Sequence, residues 1–260
     1  MLKLKKVKNY RDLSYLNNDK INIKPNLLIR SGHLHKLNKK SMRALKDNTL
    51  ILDLRSNQEI IEKPDKFINE LNYLNLPVFD LSIYGVTREH KSIKDALFKA
   101  KTVEEIKNNI PKLEYIYASA IKDEKTRNNL KVVINTIIEN IIAGKAVLYH
   151  CTAGKDRTGM ISVILLKLLG FNDDAIIDDY LKTNNRAIHE KRKYYLGILL
   201  LKRSKSLAKM ISEMMLAKEE YIRSFINAIE DVYGDFNSFI KIGLGIDEDI
   251  LIKFKGALIS

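Results

Sequence analysis

The chain has 260 residues, 45% hydrophobic and 30% charged, a composition of soluble globular domains that excludes a disordered or fibrous chain. That length buries roughly seventy per cent of the unfolded surface, so one α/β domain folds without a disulfide or metal staple. Lysine and arginine outnumber aspartate and glutamate 45 to 32, a net charge of +13 that either solvates the surface or draws anionic partners: phosphorylated molecules, nucleic acid or acidic lipid headgroups.

Apolar runs such as Ile161 to Leu166 fall far short of the ~20 residues that span a bilayer, so no integral membrane association is expected. The amino terminus, MLKLKKVKNYRDL, is charged and lacks the apolar centre and small-residue cleavage site of a signal peptide, which gives an expectation of a cytoplasmic protein. In chain order, Asn26–Arg30 and Thr49–Leu54 read as short buried strands, and Asn75–Asp80 as a third that Pro77 places at an edge. Between Asp80 and Asn128 lies a charged, weakly patterned, helix-compatible stretch. It is too long for an ordinary loop, and residues 81–128 are a candidate helical lid within a single domain over residues 1–260. Leu130, Val133, Ile134, Ile137, Ile138 and Ile141 recur at helical spacing up to Gly144, which suits a left-handed cap. Lys145–His150 is the next strand, followed by a compact loop and an apolar helix, Thr158–Leu169, closed by Gly170. The carboxyl-terminal third reads as wholly helical, with Asn172 as a helix cap. Met210, Met214 and Met215 suit core packing more than a pliable binding face.

Chemistry concentrates in the loop His150-Cys151-Thr152-Ala153-Gly154-Lys155-Asp156-Arg157-Thr158-Gly159. A loop between strand and helix turns consecutive N–H groups inward as a nest for phosphate oxygens, and the following helix directs its positive end at the same spot. Thr152, Ala153, Gly154 and Lys155 would form that nest, with Gly154 permitting the tight turn. Arg157 adds a planar fork for two oxygens. Cys151 sits at the floor, where the same positive field favours a thiolate nucleophile. His150 orders the loop, and Thr158 can place its hydroxyl near the sulfur to stabilise it as leaving group. Cys151 is the only cysteine, which excludes an intrachain disulfide and any multi-cysteine zinc site, so peroxide inactivation is expected to be reversed by external thiols alone.

The loop resembles the Cys-x₅-Arg signature of cysteine-dependent phosphatases, and its Gly-Lys-Asp-Arg-Thr-Gly form is similar to the bacterial tyrosine/phosphoinositide phosphatases, a branch of dual or triple specificity. Asn9-Tyr10-Arg11-Asp12-Leu13, Leu28-Ile29-Arg30-Ser31-Gly32, Asp53-Leu54-Arg55-Ser56, Tyr233-Gly234 and Gly243-Leu244-Gly245 resemble further motifs of that branch. Where the branch has a glycine pair after Asp-Leu, this chain has Ser14-Tyr15. The resemblance implies a mainly parallel sheet flanked by helices, no metal or cofactor, and two steps: Cys151 attacks phosphorus to form a cysteinyl-phosphate, and water then hydrolyses it. It suggests Asp156 as general acid, with Asp80 as runner-up; an acid at neutral pH requires burial of the carboxyl. Lys155 suits substrates with more than one phosphate, as in lipid phosphatases of the tensin-homologue type, and is otherwise a solvated or carboxylate-paired lysine. Asp53 and Arg55 either brace the loop from a neighbouring strand or serve purely structural pairing with other charges. His33 and His35, without acidic neighbours in sequence, make a poor metal pair.

The expected substrates are phosphotyrosine proteins or peptides, with phosphoserine/threonine and phosphoinositides as further candidates. The alternative is an inactive module that recognises phosphorylated partners, against which the retained nucleophile speaks. Sulfur transfer of the rhodanese kind uses a loop cysteine but does not require the arginine at this spacing. Nucleic acid is not an expected partner, because no helix-turn-helix, RNP or zinc signature is present.

Overall fold

The computed structural model describes residues 4, 7–46, 48–79, 99–109 and 111–260. In chain order they form β1 (Arg11–Asp12), a 3₁₀ turn (Leu13–Leu16), β2 (Leu28–Gly32), α1 (Lys39–Lys46), β3 (Thr49–Asp53), α2 (Asn57–Glu62), β4 (Asn72–Asn75), α3 (Val103–Asn109), α4 (Leu113–Lys122), α5 (Glu124–Ile142), β5 (Ala146–Cys151) and α6 (Asp156–Leu169). Then come α7 (Asp173–Leu181), α8 (Asn184–Lys202), α9 (Lys205–Glu213), α10 (Glu219–Tyr233), a π-helical turn (Phe239–Leu244) and α11 (Glu248–Leu258).

One sheet runs in the order β1-β2-β5-β3-β4, with β1 antiparallel to β2 and every other pair parallel. The three central strands are buried along their whole length, as strands covered on both faces must be, and they read as near-continuous apolar runs. Alternation then divides their side chains. Leu50, Leu52, Val147 and Tyr149 enter the large core under α4, α5, α6, α10 and α11. Ile29, Ile51 and Leu148 point the other way, onto Leu34, Leu37 and the α1 residues Met42 and Leu45. The architecture is the expected α/β fold. A third, separate apolar cluster joins α3, α8 and α9 through Ile106, Ile198, Leu207, Ala208 and Ile211.

Helix ends follow local chemistry. The Asp123 and Asn172 side chains cap α5 and α7 by accepting from Thr126 N and Ala175 N, and Gly170 closes α6 at φ 92°. One boundary differs from expectation, and one strand, β1, lies where none was expected. The edge strand lies at Asn72–Asn75 and not at 75–80, because Pro77 has no N–H to continue the ladder. The two-residue β1 is too short to show an alternation pattern. Within the candidate lid, residues 81–98 lie outside the described residues. Of the remainder, α3 joins the α8–α9 cluster, whereas α4 and the start of α5 belong to the main core.

Candidate active site

The register of the sheet builds the site. Asp53 of β3 and Ser31 of β2 both lie opposite His150 of β5, so the carboxyl ends of three parallel strands converge where Cys151 ends its strand. Ligand sites of open parallel sheets form at such ends. Cys151 is buried at the base of the loop that leads into α6.

Three carbonyls of that loop are held outward by donors from outside it. The His33 N–H donates to Thr152 O at 3.3 Å, Asn9 Nδ2 to Ala153 O at 3.0 Å, and Arg30 Nη2 to Gly154 O at 3.1 Å. A trans peptide directs its N–H opposite to its C=O. The N–H groups of Ala153, Gly154 and Lys155 therefore face the interior of the loop, and none of them donates to a group among the described residues. This is the geometry of an anion nest at a helix N-terminus. Gly154 is required in it. Its φ is 68°, and a Cβ would sit 2.6 Å from the backbone of Ser31 and Gly32.

Arg157, on the first turn of α6, is aligned by a carboxylate that the sequence reading did not single out. Glu59 accepts Arg157 Nη1 at 2.5 Å and Nη2 at 2.6 Å, and also accepts the Thr152 hydroxyl at 2.5 Å. Burial opposes the Glu59 charge, but the Arg157 hydrogen bonds and charge, with Thr152 and the Ser56 N–H, outweigh it and lower its pKa to about 2. Burial likewise opposes the Arg157 charge, and Glu59, then Cys151 and Asp156, raise its pKa instead. Glu59 is fixed by a reciprocal capping box with Ser56 at the start of α2. The Ser-x-x-Glu spacing of residues 56–59 was the available signal.

Asp156 opens α6. Its carboxylate accepts the Tyr117 hydroxyl at 2.5 Å and lies 3.4 Å from Lys155 Nζ. Tyr117 in turn contacts the Tyr180 hydroxyl at 2.7 Å. Burial first, then the nearby Asp156 charge, pushes both phenols well above their ordinary range, so both remain protonated. The Asp156 side chain is 39% exposed, so the deep burial expected of a neutral-pH acid is not found. The runner-up, Asp80, lies outside the described residues. Lys155 turns away from the nest, its Nζ donating to Met214 O at 3.1 Å and Leu216 O at 3.3 Å, just beyond the C-terminus of α9. Thr158 is fully buried, and its hydroxyl has no partner among the described residues.

His150, Asp53 and Arg55 lie together behind the loop. Arg55 donates to both oxygens of Asp53, to Asp65 Oδ2 at 2.6 Å and to Lys63 O, while Tyr73 donates to Asp53. His150 Nε2 lies 3.4 Å from Asp65 and Nδ1 3.8 Å from Asp53. Asp53, Asp65 and His150 are grouped as metal ligands often are, but the guanidinium of Arg55 already supplies the positive charge between the two carboxylates. Leu54 N–H donates to His150 O, tying this network to β5. His33 and His35 hydrogen-bond ring to ring, Nδ1 to Nδ1, at 2.9 Å. Burial, then the nearby charge of Lys63, lowers the His33 pKa to about 3.

The amino-terminal motif buttresses the site from the far side. Asp12 accepts from Ser14 N and Asn26 N, which folds the 3₁₀ turn. Arg11 donates to Asp179 at 3.1 Å, Tyr15 donates to it at 2.5 Å, and the fully buried Arg30 forms an ion pair with it. Tyr15, which stands where the resembling branch has a glycine, thus has a structural bond. An arginine inside the apolar strand β2 was the sequence signal for a buried partner; Asp179 gave none by itself. A cleft of about 440 Å³ opens above the loop, bounded by Asn9, His33, Glu59 and Asp156, by Thr183 just before α8, and by Ala187 and Tyr194 on α8.

Comparisons with known proteins agree with this geometry. A model of the tyrosine phosphatase family matches residues 2–260. The chain is 23% identical to the triple specificity protein phosphatase PtpB of Mycobacterium tuberculosis, over 92% of each protein. Over a 35-residue stretch, 14% of this chain and 12% of the relative, it is 57% identical to a tyrosine-protein phosphatase of Nostoc commune. With a family match from end to end over a cysteine-floored anion loop, the chain belongs to the tyrosine phosphatase family and is a phosphatase.

Proposed function

We propose that the protein is a metal-independent, cysteine-based phosphatase that hydrolyses phosphotyrosine, with phosphoserine/threonine and phosphoinositides as further substrates. The observation that carries this reading is the loop whose three outward-held carbonyls leave their N–H partners facing inward, between Cys151 and the Arg157 fork. The triple specificity in the name of the Mycobacterium tuberculosis relative supports the breadth of substrate.

In the first step the Cys151 thiolate attacks phosphorus opposite the ester oxygen. The sulfur–phosphorus bond forms as the phosphorus–oxygen bond breaks, and Asp156 gives its proton to the departing oxygen. In the second step Asp156 takes a proton from water as that water attacks phosphorus, and the sulfur leaves as a thiolate that can accept the unpartnered Thr158 hydroxyl. Loop N–H groups, the α6 dipole and Arg157 hold the equatorial oxygens throughout, so positioning and electrostatics carry the rate. Tyr117 is a positioning residue that holds the Asp156 carboxylate.

The test is phosphate release, with chelator present, from phosphotyrosine and phosphothreonine peptides and several phosphoinositides. Cys151→Ser is expected to abolish release from every member. Asp156→Asn is expected to slow release by roughly 10²–10⁴-fold for poor leaving groups and far less for an electron-poor aryl phosphate. Tyr117→Phe should shift the pH–rate profile and reduce kcat more than it raises KM. Release that persists in Cys151→Ser, or that requires added metal, would overturn the proposal.

A further inference from the structure

Helix α8 has two unlike faces. Its inner face lines the cleft through Ala187 and Tyr194 and packs Ile198 against α9. On the outer face Leu196, Leu200 and Leu201 are 49%, 79% and 68% exposed, although residues 196 and 200 sit one helical turn apart where a solvated helix places charge. Around them, from Lys191 to Lys209, stand seven lysines and arginines and not a single aspartate or glutamate. Arg192, Lys193, Arg203, Lys205 and Lys209 are exposed, and none of the seven forms an ion pair among the described residues.

Exposed leucines ringed by cations fit a surface that is apolar beneath an anionic layer. From this pairing we propose that the outer face of α8, with the turn into α9, docks peripherally on anionic phospholipid bilayers. The leucines enter the acyl boundary while the cations meet the headgroups. Nucleic acid would use the cations but gives the leucines nothing to enter, and a second copy of the chain would bring seven like charges together. Docking through this face holds the cleft, on the other side of the same helix, close to the membrane surface. The inference goes beyond hydrolysis and stands whether or not the site turns over phosphate.

The test is co-sedimentation of the whole protein with vesicles of phosphatidylcholine alone and of phosphatidylcholine with phosphatidylserine. Binding is expected only with the serine lipid, weakening as salt rises. The Leu200→Ser/Leu201→Ser double variant should lower binding about tenfold, and Lys202→Glu with Arg203→Glu about fivefold per charge removed. Both variants should keep the wild-type circular dichroism spectrum and hydrolysis of a soluble aryl phosphate. Lys39→Glu with Lys40→Glu, equal in charge change but on α1, should leave vesicle binding intact. Equal binding to both vesicles would overturn the proposal, as would binding indifferent to the leucines but lost equally with either charge-reversed pair. A leucine-dependent dimer that ignores vesicles, or tight DNA binding without vesicle binding, would also overturn it.

Discussion

At the scale of single residues, the loop after Cys151 is shaped by close backbone packing and by a carboxylate from another helix. Gly154 faces the β2 backbone so closely that Gly154→Ala must displace either the loop or Ser31 and Gly32, and alanine also resists the φ of 68°. We expect this variant to fold with a modest loss of stability and to lose at least tenfold in kcat/KM, measured with phosphotyrosine peptide. Glu59 provides a pH test. Its carboxylate has a pKa of about 2 in the fold against an ordinary 4.5, so between those values the unfolded chain binds a proton that the native state does not. Its contribution is therefore complete above about pH 4.5 and is lost as pH falls toward about 2. In Glu59→Gln, denaturation curves taken across that window should show a shallower dependence on pH. Its kcat/KM at neutral pH should fall by about tenfold, since Arg157 loses a charge-assisted hydrogen-bonded partner.

At the scale of elements, Asp179 joins three of them: β1 through Arg11, β2 through Arg30 and its own helix α7. Burial opposes its charge, and the two arginines with Tyr15 outweigh that and hold its pKa below the ordinary range. Asp179→Asn leaves the Arg30 charge buried without a carboxylate, at a cost of about 3–5 kcal/mol. For a chain of this size that lowers Tm by roughly 6–20 °C in a thermal melt, with loss of activity because Arg30 also holds Gly154 O. Strands β2, β3 and β5, helices α5 and α6, and the loop from Cys151 to Arg157 were legible in the sequence, because buried parallel strands and capped helices leave local patterns. The partnerships were not. Glu59 meets Arg157 across 98 residues and Tyr117 meets Asp156 across 39, separations over which no spacing rule operates. The edge strand slipped because Asn72–Asn75 is half exposed and carries no apolar run.

At the scale of the whole molecule, the chain is built as two packed units of unequal size. The sheet and its main helices share one large core, whereas α3, α8 and α9 share a small one of their own above the cleft. Small satellite clusters open at lower free-energy cost than the main core, so the α8–α9 hairpin is expected to open before the sheet and its main helices. Lys155 is 7% exposed at the floor of the cleft, with its amine hydrogens on the carbonyls of Met214 and Leu216, just beyond α9. An acylating reagent in solution is expected to reach that amine freely only when those carbonyls have moved away with the hairpin. The single loop lysine is thus a built-in chemical clock: its labelling rate, followed by mass spectrometry, should lag behind that of exposed lysines such as Lys193 and should report how often the α8–α9 hairpin leaves the cleft. Labelling of Lys155 as fast as that of Lys193 would show a hairpin that spends its time detached.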